Sequence, residues 1–476
     1  MVKRARILSG VAVVAVMTPP HPCPHGRCIY CPGGDCVPQS YVDESPAVIR
    51  ARRVSYDPYL QVKERLEQFR RAGFFPSKVE LIVMGGTFTS MPEREQEIFI
   101  TRCFDAMNDF PSSKEVPSRS VEEAHARNEK ALCRCTVLTI ETRPDWALPP
   151  QIDLMLRLGA TRVEIGVQSI YEDVLGIIRR GHGVEVVKES TRFLRDAGYK
   201  VCYHLMPGLP GSDLDRDIRM FREIFSDEHY RPDMLKIYPT LVIKGTELYD
   251  MWRRGEYRPL SEEEFMELLE EIYRILPKWV RVQHVQRDIP ASRIEAGPKR
   301  RNIRQLVEEK LMREGVGIRE IRFREVGRAH RRGVPVRFDH AEITEERYSA
   351  GEGTEIFLSV EDREMDVLFG VLRLRIPSKK AHRWEVCGNT ALIREVHVYG
   401  PQIPVGEMPT DIAAQHRGFG RMLMKRAEEI AFGEYRVRRI LVISGVGARE
   451  YFRRLGYRRM SGSFYMYKDR DGAAGI

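Results

Sequence analysis

The sequence predicts an α/β protein in two parts, a partial parallel barrel followed by a smaller α+β unit. Three observations lead there. From residue 11 to residue 290 short apolar runs alternate with longer amphipathic ones, the pattern of repeated strand–helix–strand units. After residue 336 closely spaced strand-like runs with hairpin turns replace that alternation. At 476 residues the chain is too long for one ordinary core, so two or three domains are expected.

The strands of the first part are read at Val11–Val16, Val79–Met84, Thr136–Ile140, Arg162–Val167, Lys200–Leu205 and Leu235–Tyr238. Amphipathic helices fall between them at Leu60–Ala72, Pro92–Met107, Gln151–Leu158, Val184–Ala197 and Leu214–Phe225. Six such units close only part of an eight-stranded barrel, and Arg281–Val285 offers a further strand. Residues 1–295 therefore form the barrel part. Residues 296–335 form a basic connector that includes Lys299, Arg300, Arg301, Arg304, Arg319, Arg322 and Arg328. Glu308, Glu309 and Glu320 are interspersed, so a solvated helix would explain the run equally well. In residues 336–476 the strands are Glu355–Val360, Val367–Ile376, Ala391–Val398 and Arg439–Ser444, with helices at Gly418–Ala431 and Ala448–Leu455.

Composition narrows the class. The balance of 77 Lys+Arg against 68 Asp+Glu leaves +9, compatible with a polyanionic partner without demanding one. Nine irregularly spaced cysteines fit reduced thiols in a cytoplasmic protein better than a disulfide framework. No apolar stretch approaches the length of a membrane span. Lys3, Arg4 and Arg6 before Ile7–Met17 imitate a signal peptide. No small-residue cleavage site follows, however, and the run feeds into Pro19 and Pro20, so a buried first strand is the better reading.

Cys23, Cys28 and Cys31 stand in a Pro- and Gly-rich loop with the spacing C-x4-C-x2-C, directly after that first strand. Three thiolates so placed can hold three irons of a cubane cluster and leave the fourth without a protein ligand. An open coordination position makes a metal reactive rather than structural. A zinc knuckle completed by His21 or His25, or three unrelated cysteines, are the competing readings. The remaining thiols, Cys36, Cys103, Cys133, Cys135, Cys202 and Cys387, read as buried or free. A second motif, Gln415-His416-Arg417-Gly418-Phe419-Gly420, opens a helix after a strand. Glycines there permit close approach of a phosphate, and the helix start offers backbone N–H donors. Alone, such a glycine pattern is weak.

The second motif and the order of elements around it resemble GNAT acetyltransferases. The whole chain resembles the family of Elongator catalytic subunits, in which a radical S-adenosylmethionine barrel precedes a GNAT domain. The resemblance is carried by Pro22–Gly26 with Cys28–Gly34, Tyr56–Gln61, Ser77–Phe88, Glu141–Asp145, Glu164–Ser169, Leu235–Leu241, Val285–Pro290 and Glu395–Gly400. It implies a 4Fe–4S cluster on Cys23, Cys28 and Cys31, S-adenosylmethionine, and acetyl-coenzyme A. The implied reaction is radical transfer of an acetyl-derived carboxymethyl group to carbon 5 of the wobble uridine in a tRNA anticodon stem-loop. The implied S-adenosylmethionine contacts are Gly85, Gly86, Thr87, Glu141, Arg143 and Gln168, with Lys236 and Tyr238 orienting substrate. For acetyl-coenzyme A they are Glu395, Val396, His397 and Val398 along the pantetheine, Gln415, Gly418, Phe419, Gly420 and Arg421 at the pyrophosphate, Tyr451 or Phe452 near the thioester, and Lys78. Lys299, Arg300, Arg301 and Arg304 are expected to hold tRNA. His204 reads as a satisfied barrel residue.

Two departures bear on these expectations. The family carries a basic N-terminal segment, whereas this chain begins almost at its first strand, so truncation or weaker RNA binding is expected. Relatives have cysteines before the Arg324–Gly327 block; here Arg319–Phe323 has none, and no zinc is expected. The chain is expected to act without further Elongator subunits. Two other functions compete: a GNAT-type protein lysine acetyltransferase with a structural cluster, and a methylthiotransferase-like radical enzyme. Near the ligand strand only Glu395 stands out as a general base for the former.

Overall fold

In the computed structural model, which describes residues 10–34, 36–386, 388–400 and 417–470, a seven-stranded parallel sheet forms the first part. Its strands are β1 (Ala12–Met17), β2 (Lys78–Met84), β3 (Arg134–Thr142), β4 (Arg162–Gln168), β5 (Lys200–Leu205), β6 (Met234–Ile237) and β8 (Arg281–His284). A two-residue strand β7 (Val242–Ile243) pairs separately with β9 (Ile294–Ala296). The order β1-β2-β3-β4-β5-β6-β8 follows the chain, so the sheet curls as a partial barrel and does not double back. Every strand read from the sequence is present within two residues of its expected bounds. Arg281–Val285 joins as the last strand, parallel to β6. All seven residues of β4 are buried, as a central strand covered on both faces requires.

Capping explains several helix boundaries. Asp57 accepts from Leu60 N to start Pro58–Arg71, and Ser261 with Glu264 forms a capping box for Glu262–Ile275.

The second part is a mixed sheet of β10 (Glu342–Ala350), β11 (Gly353–Asp362), β12 (Val367–Ile376), β13 (Thr390–Val398), β14 (Arg439–Val442), β15 (Arg458–Arg459) and β16 (Met466–Asp469), ordered β10-β11-β12-β13-β14-β16-β15. Sequence reading does not anticipate β10: its edge position leaves Glu342, Glu345 and Arg347 on the surface and no apolar run to find. The helix expected over Gly418–Ala431 is regular from Phe419 to Glu428 and continues as π-helical turns to Glu434.

Buried arginines join the two parts. Arg394 of β13 donates to Asp233 at 2.7 and 2.9 Å and to Glu355 at 2.9 Å. Arg373 donates to the Trp279 carbonyl at 2.6 Å, and Arg375 holds Asp196 at 2.6 Å. Three adjacent arginines hold the Asp233 carboxyl far below its usual range against the opposing effect of burial. The connector is packed into this seam and is not a free tether. Ile321 N donates to Val280 O at 3.0 Å, and Glu325 bridges to Leu368.

Candidate active site

One cavity of about 600 Å³ runs from the cysteine loop through the barrel to β13 of the second sheet; Cys23, Gly86, Gln168, Lys236, Glu395 and His397 all line it. At its upper end the three cysteines are free thiols. Burial pushes the thiols of Cys23 and Cys31 up, and the neighbouring Cys28 sulfur adds to both shifts. Metal binding there must expel protons.

The partners around the sulfurs fit a cluster. Arg143 Nη1 donates to His25 Nδ1 at 2.7 Å. Arginine has no acceptor, so His25 is the tautomer with its proton on Nε2, which faces Cys28 Sγ at 3.2 Å. Burial and the cations of Arg143 and Arg180 lower His25 to about 4, so the ring is neutral at pH 7 and donates to sulfur. Arg180 adds a second donor to Cys28 Sγ at 3.7 Å, and Ser40 N donates to Cys31 Sγ at 3.2 Å. These donors favour thiolates and tune bound iron. Sequence reading misses Arg180, which no motif marks; only its position in a loop after a barrel helix hints at it.

Glycines shape the next layer. Gly85 has φ +127°, and a Cβ there would meet Thr18 Oγ1 at 2.0 Å. A Cβ on Gly86, φ +98°, would come within 4.0 Å of Cys23 Sγ. Both keep the strand end open beside the sulfur. Thr87 lies alongside, with its hydroxyl 3.5 Å from Cys23 Sγ. Gln168, a non-glycine residue at φ +69°, ends β4 and lines the cavity, backbone strain of the kind that clusters at functional sites.

A charged chain crosses the cavity. Lys236 Nζ donates to Glu141 Oε1 at 2.8 Å and also to Glu164; His204 Nε2 lies 3.0 Å from Glu164 Oε2, and Tyr41 donates to Glu141 Oε2 at 3.0 Å. Two carboxylates raise the Lys236 ammonium well above its usual value despite burial. That suits Lys236 to orienting a ligand as a fixed cation, not to accepting a proton. Glu164, Cys202 and His204 offer metal-ligand atoms within 4.8 Å of one another, but the ammonium of Lys236 already supplies the cation there. His204 is thus satisfied and lines the cavity as well. Tyr238 stands against His204 with ring centroids 5.6 Å apart. Arg143 is held by Asp145 at 2.9 Å and by His25, so it acts chiefly on the cluster loop.

The lower end is built mostly from backbone. Thr390–Ile393 of β13 pair with β14, whereas among the described residues Glu395–Val398 pair with β12 alone. Among the described residues the strands part at residue 394, so Glu395, Val396, His397 and Val398 have no β14 residue beside them. Gly418, φ +86°, caps the helix Phe419–Glu428. A Cβ on Gly420 would meet Tyr451 Oη at 2.8 Å. Tyr451 is the aromatic residue at this turn, because Phe452 is buried against Tyr457. Phe419 stacks on Phe369 in the core and offers the site its backbone only; Arg421 is exposed. Gln415 and Cys387 lie outside the described residues. Glu395 sits between Lys200 at 3.3 Å and Arg373 at 2.8 Å. Those cations and His397 outweigh burial and lower it to about 2, which makes it a poor general base.

Lys78 begins β2 in register with Arg134, where a Cβ on Gly447 of the second part would come 2.5 Å from the Arg134 side chain. Lys78 therefore belongs to the seam, and burial lowers its ammonium. Lys299, Arg300 and Arg301 are exposed, with Arg300 2.8 Å from Glu262. Arg304 turns inward and donates to Val282 O at 2.8 Å. Cys36 is exposed; Cys103, Cys133, Cys135 and Cys202 are buried. Among the described residues no helix is long and apolar enough to cross a membrane.

Residues 18–224 match the Radical SAM superfamily and residues 232–313 the Radical_SAM C-terminal domain. The chain is 49% identical to the tRNA uridine(34) acetyltransferase of Methanocaldococcus jannaschii, covering 96% of this chain and 84% of that protein. It is 44% identical to human Elongator complex protein 3, again over 96% of this chain and 84% of the relative. The solved archaeal Methanocaldococcus infernus Elp3 with N-terminus deletion (1-46) superposes with a TM-score of 0.86 at 45% identity, over 97% of this chain and 100% of that one. The chain belongs to the Elongator complex protein 3 family, which includes the tRNA uridine(34) acetyltransferases, and carries a radical S-adenosylmethionine domain.

Proposed function

We propose that this enzyme modifies the wobble uridine of tRNA, transferring a carboxymethyl group derived from acetyl-coenzyme A to carbon 5. The observation that carries the reading is the single cavity shared by the cysteine loop and the Glu395–Val398 end of β13. A protein lysine acetyltransferase with a structural cluster would need neither that connection nor the charged chain across it. Its one candidate base, Glu395, is held ionised by two cations.

Cys23, Cys28 and Cys31 would hold a 4Fe–4S cluster, with Gly85, Gly86, Thr87 and Gln168 against the S-adenosylmethionine. When bound, these cofactors supply a one-electron route to carbon–hydrogen bond cleavage. Lys236, fixed by Glu141 and Glu164, orients the substrate, and the surrounding barrel excludes water from reactive species. The pantetheine amides pair with Glu395–Val398, as an added strand would. Gly418–Arg421 receive the pyrophosphate at the helix start, and Lys78 closes the seam side. The anticodon loop lies across the junction on Lys299, Arg300 and Arg301, with the wobble base unstacked into the cavity.

Mass spectrometry of tRNA nucleosides after incubation with both cofactors and a reductant tests the whole reading. The expected product is 5-carboxymethyluridine at the wobble position. Label from acetyl-coenzyme A appearing on lysine and never on tRNA would reject it.

A further inference from the structure

The β8 side of the cavity carries three arginines and a histidine that the reaction above does not use. Arg281 and His284 come from β8, and Arg322 and Arg328 from the connector; all four line the cavity. Among the described residues, the ion pairs of this group all run to Glu325, which Arg281 holds at 2.7 Å and Arg328 approaches at 3.6 Å. Arg322 has no acid partner there. Its Nη1 donates to Gln283 O at 3.0 Å, and its buried Nε has no acceptor. The Nε of Arg328 reaches no acceptor within hydrogen-bond distance and stands 3.6 Å from Glu325 Oε2. A protein interior rarely leaves guanidinium donors unpaired.

Electrostatics agrees with that geometry. Burial, then the cations of Arg304, Arg328 and Arg281, push Arg322 down to about 9. Adding an anion would relieve both the desolvation and the mutual repulsion.

We propose that Arg322, with Arg281 and Arg328, forms a binding site for a small carboxylate inside the cavity. The unpartnered Nε–H of Arg322 belongs to a planar guanidinium, the group whose donors match a carboxylate. Its neighbours decide the class of anion. Glu395, His397 and Tyr399 of the ligand strand and its extension line the same cavity, so the acid closest at hand is the two-carbon unit delivered there. This rests on the proposed coenzyme site at β13. Two sources present the same chemistry: acetate from thioester hydrolysis, and the carboxymethyl arm of the modified base.

The test is a binding titration of the full-length chain, without coenzyme, S-adenosylmethionine or tRNA, using carbon-13-labelled acetate, 5-carboxymethyluridine, uridine and inorganic phosphate as probes. Saturable binding of acetate or 5-carboxymethyluridine, but not uridine, is expected. Arg322→Gln should weaken it by at least about tenfold, the loss of one charge-assisted hydrogen bond. Arg254→Gln, on the surface, should leave it unchanged. Arg328→Gln gives a second reading if the first variant fails to melt cooperatively. Acetate binding alone marks the hydrolysis product; binding of carboxymethyluridine marks the modified base. No binding by the unaltered chain, full binding by both variants, or tighter binding of phosphate overturns the proposal. The titration is read separately from the nucleoside assay above, so tRNA modification without carboxylate binding would sink this inference alone. Carboxylate binding without modification would sink only the proposed reaction.

Discussion

The two ends of the shared cavity are built from different material. At the cysteine loop the chemistry resides in side chains: three thiols, His25, Arg180 and the Glu141–Lys236–Glu164 chain, each with defined partners. At β13 it resides in backbone, a strand segment that β14 no longer pairs and a glycine turn at a helix start. The first should fail when one atom changes. The second should tolerate most side-chain changes and fail when bulk enters the turn.

The largest expected effect separates the ends outright. Cys28→Ala removes the sulfur that His25 and Arg180 address, so cluster absorbance and S-adenosylmethionine cleavage should vanish. The loss should exceed about a hundredfold, beyond what outer partners of a metal site cause. Affinity for coenzyme A, measured by calorimetry, should be unchanged. A parallel fall in coenzyme affinity would show that the ends are not independent.

The next test enters from the other end. Gly420→Val should reduce coenzyme A affinity by about a hundredfold or more, because even its Cβ meets Tyr451 Oη at 2.8 Å. Gly418→Ala should cost about 1 kcal/mol of stability through its left-handed φ and leave the thiols untouched. Cluster content equal to the parent in both variants is the expected readout; loss of iron would contradict the division.

The same division explains what the sequence disclosed. The parallel strands were legible because short apolar runs recur between amphipathic helices, as in β1, where all six residues are apolar. The cysteines and glycines were legible because they form local motifs. Arg180 and Arg322 were not, since each reaches its partners only after β4 and β8 are in place. Arg304 belongs to the basic run in sequence but turns inward to Val282 O, a direction composition cannot give. Strand β10 escaped because an edge strand shows its charges to water.

Glu395 lies on the backbone-built end yet carries a charge fixed by two cations, Lys200 and Arg373. Its folded-state value of about 2 lies below the ordinary 4.5, so its pairing stabilises the fold fully above about pH 4.5. That contribution is lost as pH falls toward 2. Glu395→Gln should therefore cost about 3 kcal/mol at pH 7, since Lys200 and Arg373 are left buried without their acid. The difference from the parent in denaturant melts should shrink below pH 4. No limb of a pH–rate profile between pH 5 and 8 should disappear in the variant. If one does, Glu395 is acting as a base and the acetyltransferase alternative regains its ground.

The smallest expected effect lies within the side-chain end and asks how finely it is tuned. His25 is neutral at pH 7 because burial and the cations of Arg143 and Arg180 hold its value near 4. Arg143, which can only donate, fixes the proton on Nε2 and aims it at Cys28 Sγ. Removing that donor leaves all three thiolates in place but takes one hydrogen bond from a ligand sulfur, which raises electron density on the iron. His25→Ala should thus retain the cluster, lower its reduction potential, and slow S-adenosylmethionine cleavage by no more than about tenfold, the low end for an outer partner. His25→Gln, whose amide can still reach the sulfur, should recover part of the potential. Loss of the cluster in both variants would make His25 a ligand or a structural prop, and the zinc-like reading of the loop would return with it.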